Sequence, residues 1–274
     1  MMRRAQPWLG TLVEVTIADA TDAPASDLAF SRAFNAIATV HQLMSFHDPE
    51  SDVSRINRAA HGADIVVDAH TARVLGAALA LWSQSEGVFN PLCASKLVEW
   101  DYLPAPGGPL PAWATPTCAL ELEGCRVIKH APAWIDLGGI AKGYAVDVAA
   151  ATLAASGVRS GCVNAGGDLL AFGDRDWPVL LRDPAHPCAP GYATEVRDCA
   201  LATSAIYFSR KEHKGCPRSA LLHGREGRPV LRAGSVSVSA PSCMMADALT
   251  KVVAATGDVH HPALEKHGAT AYIV

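Results

Sequence analysis

An α+β fold of mixed sheets with flanking helices is what this sequence predicts, on three observations. Strand-like and helix-like segments are interspersed without strict alternation. Several strand-like segments follow one another through short turns, as in the run from Gly161 to Gly173. The GxGxxG fingerprint of a dinucleotide-binding βαβ unit is missing, which argues against a doubly wound parallel sheet.

Leu12 to Ala18 alternates, with Val13, Val15 and Ile17 on one face, and predicts a strand. Ser26 can cap a helix from Asp27 to about Met44, whose Phe30, Phe34, Ile37, His41 and Met44 fall on one stripe. A second helix is predicted over Thr71 to Ser85, ending at Gly87. Leu103 to Thr117 holds five prolines and two glycines and reads as a loop or insertion. Ala141 to Ser156 predicts a helix stopped by Gly157. Gly161 to Gly173 reads as strand, Gly-Gly turn, strand. Short strands are predicted at Pro178–Arg182, Cys199–Thr203, Ser219–Leu222 and Ser235–Ala240. Ser242 then caps a helix to about Thr256, and Ala271–Val274 closes the chain as a strand.

The 274 residues suffice for a large core, and no internal repeat divides them, so residues 1–274 are read as a single domain. A formal net charge of −4 gives no basic footprint for nucleic acid or anionic membrane. No apolar run is long enough to span a bilayer. Met1-Met2-Arg3-Arg4 has the look of a signal n-region, but Ala5-Gln6-Pro7-Trp8-Leu9-Gly10 is too short and broken for an h-region. The eight cysteines are scattered singly, with no Cys-x-x-Cys pair, and read as reduced thiols in a cytoplasmic protein. His260, His261 and His267 lack partners at ligand spacing and read as solvated.

Three segments can carry chemistry. Ile135 to Asp147 (Ile-Asp-Leu-Gly-Gly-Ile-Ala-Lys-Gly-Tyr-Ala-Val-Asp) runs from an apolar stretch through Gly138 and Gly139 into a helix with Lys142 in its first turn. A lysine is unfavourable there unless an anion joins it, because the helix N-terminus is itself positive. The segment therefore reads either as a phosphate site or as a βα turn with an exposed lysine. Asn164-Ala165-Gly166-Gly167-Asp168 offers a second close backbone approach, although on its own a tight hairpin turn explains it better. Asp247 and Lys251, four apart on the last predicted helix, form either a surface ion pair or a metal or phosphate subsite.

Together these segments resemble the flavin transferases of the ApbE type, the FAD:protein FMN transferases. The resemblance also takes in Leu9-Gly10-Thr11, Met44-Ser45-Phe46, Ser51 to Asn57, Gly87-Val88-Phe89-Asn90-Pro91, Leu201 to Ser204, Gly227-Arg228-Pro229 and Ala246-Asp247-Ala248-Leu249. It implies an ApbE-like fold, FAD as substrate, a magnesium ion at the diphosphate, and transfer of FMN to a threonine or serine hydroxyl of a target flavoprotein with release of AMP. It implies the Gly139 carbonyl and Asp247 carboxylate as metal ligands and Lys142 facing the phosphates. Phe46, Phe89, Asn90, Asp136 and Gly138 match positions near the nucleotide, with Asn164 and Asp168 lining the site.

The chain departs from the family pattern in four places. Leu9 stands for methionine, and Phe46 for a common tyrosine. Asn90 and Leu92 replace the aspartate and threonine of Phe-Asp-Pro-Thr. Lys251 occupies the position of a metal-binding threonine, so either neighbouring Thr250 substitutes or the ammonium takes the metal's place, and a weaker need for magnesium is expected. Ala220 occupies the position of a family histidine, leaving His223 as a candidate base. These departures keep two alternatives open: a non-catalytic FAD-binding paralogue, and an FAD pyrophosphatase giving FMN and AMP.

Overall fold

Seven strands form one antiparallel sheet, in an order that follows the chain: Met2–Trp8, Thr11–Ile17, Gly161–Ala165, Asp168–Phe172, Cys199–Ala205, Ser235–Ala240 and Thr270–Ile273. The computed structural model describes residues 1–19, 22–181, 191–205, 209–232 and 234–273. Among these, every strand pairing is antiparallel, which narrows the expected mixed sheets to one kind of ladder. The predicted alternation holds in Thr11–Ile17, where Val13, Val15 and Ile17 are buried. Its partner Met2–Trp8 was not expected. It is an edge strand whose exposed Arg3, Arg4 and Pro7 give no buried face to read, and such residues also deter pairing with other chains. Leu9 and Gly10 both adopt positive φ (55° and 70°), the backbone that a two-residue hairpin turn needs.

Three long helices cover one face of this sheet. Ala23–Met44 begins at the Asp22 N-cap with a proline in its first turn, so Ser26 lies inside the helix, buried, rather than capping it. Ala141–Ala155 packs between that helix and Cys243–Thr256. Ser242 caps the last of these, accepting from the Met245 N–H, and Gly257 closes it at φ 73°. The main core lies between helices and sheet, while Leu169, Ala171, Val196 and Leu201 form a smaller cluster elsewhere.

A further helix spans Ala69–Gln84, two residues ahead of its predicted start because Asp68 caps it. Short elements escaped the sequence reading: helices Asp52–Arg58, Ala94–Glu99, Pro116–Ala119 and Pro262–Lys266, and a sheet of Asp64–Val66, Arg126–Lys129 and Leu120–Glu123. The hairpin strands Lys211–His213 and Cys216–Arg218 were also unread. The predicted strand at Ser219–Leu222 survives only as Leu222–His223, paired with Arg228–Pro229. Trp177–Leu181 pairs with Tyr192–Val196, and Arg182 and Val274 of two predicted strands lie outside the described residues. Among the described residues, no helix is long and apolar enough to cross a membrane.

Candidate functional site

A cavity of about 300 Å³ opens beside the turn that precedes helix Ala141–Ala155. Val88, Phe89 and Asn90 form one wall, Cys93, Leu97, Tyr102 and Leu103 a second, and Ala220, Leu221 and Leu222 a third. Asp136, Gly138, Gly139 and Lys251 complete it, so among the described residues Asp136 and Lys251 bring its only charged side chains. Burial pushes the Asp136 carboxyl above the usual carboxylate range, against a hydrogen bond from the Gly138 N–H (3.1 Å) and a weaker pull from His47. Burial likewise drives the Cys93 thiol well upward, aided by Asp136, so this cysteine stays protonated.

The cavity walls are pinned by residues distant in sequence. Asn57 donates to the Ile135 carbonyl (2.9 Å) and accepts from the Ile135 N–H (2.7 Å), while the Asp136 N–H reaches the Pro91 carbonyl. The Asn90 amide donates to the Ala114 (3.3 Å) and Gly224 (3.1 Å) carbonyls, and its oxygen accepts from the Leu92 N–H. Gly224 permits this approach, since a Cβ there would lie 2.5 Å from the Val88 carbonyl oxygen. Asn90→Asp would aim a carboxylate at two carbonyl oxygens. We expect a loss of about 3 kcal/mol in urea unfolding, and unchanged stability would contradict this role.

Behind the Gly138-Gly139 turn, helices Ala141–Ala155 and Cys243–Thr256 meet at a polar junction. Asp247 is fully buried; one carboxylate oxygen accepts from the Gly143 N–H (3.1 Å) and the other pairs with the Lys251 ammonium. Asp247 thus supplies the negative charge that the first turn of the helix favours. Asp147 reciprocates, accepting from the Cys243 (2.7 Å) and Met244 (2.9 Å) N–H groups. Lys142 pairs with the buried Asp168, which also accepts from the Thr203 N–H (3.2 Å). Burial lowers the Lys142 pKa; Asp247 opposes that shift and Lys251 adds to it.

Burial, with a smaller contribution from Asp247, raises Asp147 to about 6. Between its unfolded value near 3.9 and about 6, the folded chain holds a proton that the unfolded chain has released. Asp147 therefore adds stability at the acid end that is lost as pH rises through that window. Asp147→Asn should remove this slope, changing the difference between variant and wild-type unfolding energies by on the order of 2 kcal/mol between pH 4 and 6. A difference that stays constant would contradict the assignment.

The model of the ApbE family matches residues 9–273. This chain belongs to the ApbE family. A Rhodobacter capsulatus protein named FAD:protein FMN transferase is 29% identical over 272 residues, which covers 92% of this chain and 51% of that protein. A Treponema pallidum protein of the same name is 27% identical over 276 residues, covering 90% and 76%. The chain therefore spans about half the length of the Rhodobacter relative. The crystal structure of the ApbE protein from Thermotoga maritima matches with a TM-score of 0.86 at 25% identity, covering all of this chain and 94% of that one.

Of the residues matched to ApbE positions, the structure brings Phe89, Asn90, Asp136, Gly138, Gly139 and Lys251 to the cavity. Lys142, Asp168 and Asp247 form the junction behind it, with Lys142 turned onto Asp168. Asn164 closes the adjoining turn, accepting from the Gly167 N–H (2.8 Å), and Phe46 packs into the core. Thr250 is fully buried, donating to the Asp247 carbonyl and paired with the Ser204 hydroxyl (2.7 Å). His223 is not on the cavity wall: it lies in the Leu222–His223 hairpin beside Glu226, with burial lowering its pKa. Ala220, which the resemblance sets against a family histidine, does line the cavity. The walls from Leu97, Tyr102 and Leu103 escaped the sequence reading, because such residues in a short helix or at the edge of a proline-rich loop carry no chemical signature.

The magnesium ion that the resemblance implies fits this donor set poorly. The Asp247 carboxylate is engaged by an ammonium and a backbone N–H, and the Thr250 hydroxyl faces Ser204. A cation beside Lys251 would be repelled by on the order of 4 kcal/mol per unit charge at 4 Å. Among the described residues, no cluster of three or more His, Cys, Asp or Glu is placed to hold a metal ion.

Proposed function

We propose that this chain transfers FMN from FAD to a threonine or serine hydroxyl of a target flavoprotein and releases AMP. The observation that carries the reading is a mainly apolar cavity bordered by Gly139 and Lys251, with Asp247 and Lys142 at the polar junction behind it, in a chain of the ApbE family. The apolar walls with Phe89 and Tyr102 suit a ring system, and the Lys251 ammonium on the wall, with Lys142 at the junction behind it, suits a diphosphate. The acceptor oxygen forms a bond to the FMN phosphorus, the diphosphate P–O bond breaks, and AMP leaves with the electron pair. Catalysis then rests on positioning and charge neutralisation. The hydroxyl proton must be taken up, and Asp136 is the carboxylate on the cavity wall able to take it. No step is assigned to a metal, and none to His223.

A second reading, FAD binding without transfer, draws support from the apolar Ala220–Leu222 wall, which offers no base. Chromatography of a reaction with FAD, with and without an acceptor domain, separates the possibilities. AMP with covalent flavin supports transfer, AMP with free FMN indicates a pyrophosphatase, and intact FAD indicates binding alone. We further take residues 1–274 as one domain, because strands from both ends share one sheet. We place the protein in the cytoplasm, on the unpaired state of the seven described cysteines.

A further inference from the structure

Lys251 joins the buried junction to the cavity. Its ammonium pairs with Asp247, its side chain is only 18% exposed, and among the described residues it is the one cation on the cavity wall. A Cβ placed on Gly139 would lie 3.6 Å from both Lys251 Cε and Phe89 Cε2, so the lysine stem packs directly over the glycine turn. Of its three N–H donors, Asp247 takes one, and among the described residues no other hydrogen bond engages the rest. Both Asp247 oxygens are already engaged, one by the Lys251 ammonium and the other by the Gly143 N–H.

We infer that Lys251 is a phosphate-neutralising residue that replaces the divalent cation at the diphosphate, so that FAD binds here without metal. The inference rests on the transferase reading above and deepens it. A diphosphate carries two negative charges where it joins FMN to AMP. Lys251 stands on the cavity wall to compensate one of them, and Lys142 lies at the junction behind it, each lysine held by a buried carboxylate. A threonine at position 251 would leave Asp247 without its cation and restore room for a metal ion.

Calorimetric titration of FAD into the purified protein, once in EDTA and once in magnesium, tests this without relying on turnover. For the wild-type chain the affinity should agree within about twofold between the two media. Lys251→Thr should bind at least roughly tenfold more weakly in EDTA and recover in magnesium, while Lys251→Arg should stay metal-independent. A wild-type affinity that rises more than about tenfold with magnesium would overturn the inference and leave the transferase reading standing. Absence of FAD binding in both media would overturn both.

Discussion

Gly143→Ala should lower the melting temperature by on the order of 10 °C. A Cβ at this position would lie 2.2 Å from the Cys243 carbonyl oxygen, 2.6 Å from its carbon and 2.8 Å from the Met244 nitrogen. All three are backbone atoms at the start of helix Cys243–Thr256, so no side chain can swing aside. The helix must move as a unit, or helix Ala141–Ala155 must shift away from it. Either motion opens a packed interface, and overpacking of this kind costs about 3 kcal/mol. The same motion lengthens the Gly143–Asp247 and Asp147–Cys243 hydrogen bonds, which tie the two helices reciprocally. Thermal unfolding followed by circular dichroism reads the effect. A shift of only a degree or two would show that the crossing is looser than described.

Asp247→Asn should cost about 3–5 kcal/mol, the usual penalty for breaking a buried pair from one side. The amide can still accept from Gly143, but its NH2 then faces the Lys251 ammonium, donor against donor. Lys251 is mostly shielded, so water relieves this only in part. Asp247→Asn combined with Lys251→Met should recover much of the stability, because the second change removes the stranded charge. FAD affinity should not recover with it, since the double variant lacks the cation on the cavity wall. Denaturant unfolding alongside FAD titration separates the two effects. A double variant that regains both stability and affinity would show that the pair merely holds the helices together.

Much of the architecture was legible in local patterns. The alternation of Ser235–Ala240 and the Ser242 cap before Cys243–Thr256 signal their elements directly, and both lie as predicted. Met2–Trp8 was not legible, because a strand with no buried face has no periodicity to show. The site was legible where chemistry sits in short motifs, as with Gly138-Gly139 and the Asp247–Lys251 pair. Side-chain partners across long separations were not. Asn90 is held by Ala114 and by Gly224, which is 134 residues away, and nothing local marks it as a staple between loops. Lys142 turning onto Asp168, and Asp247 rather than a ligand answering the Gly143 N–H, depend on the packing of two helices on one sheet.

The most direct measurement is the intact mass of an acceptor domain carrying a single threonine, after incubation with the purified protein and FAD. The account predicts a gain equal to FMN less one water, retained on denaturation and abolished when that threonine becomes alanine. An unchanged acceptor mass, with FAD bound to the protein and AMP absent, would contradict it.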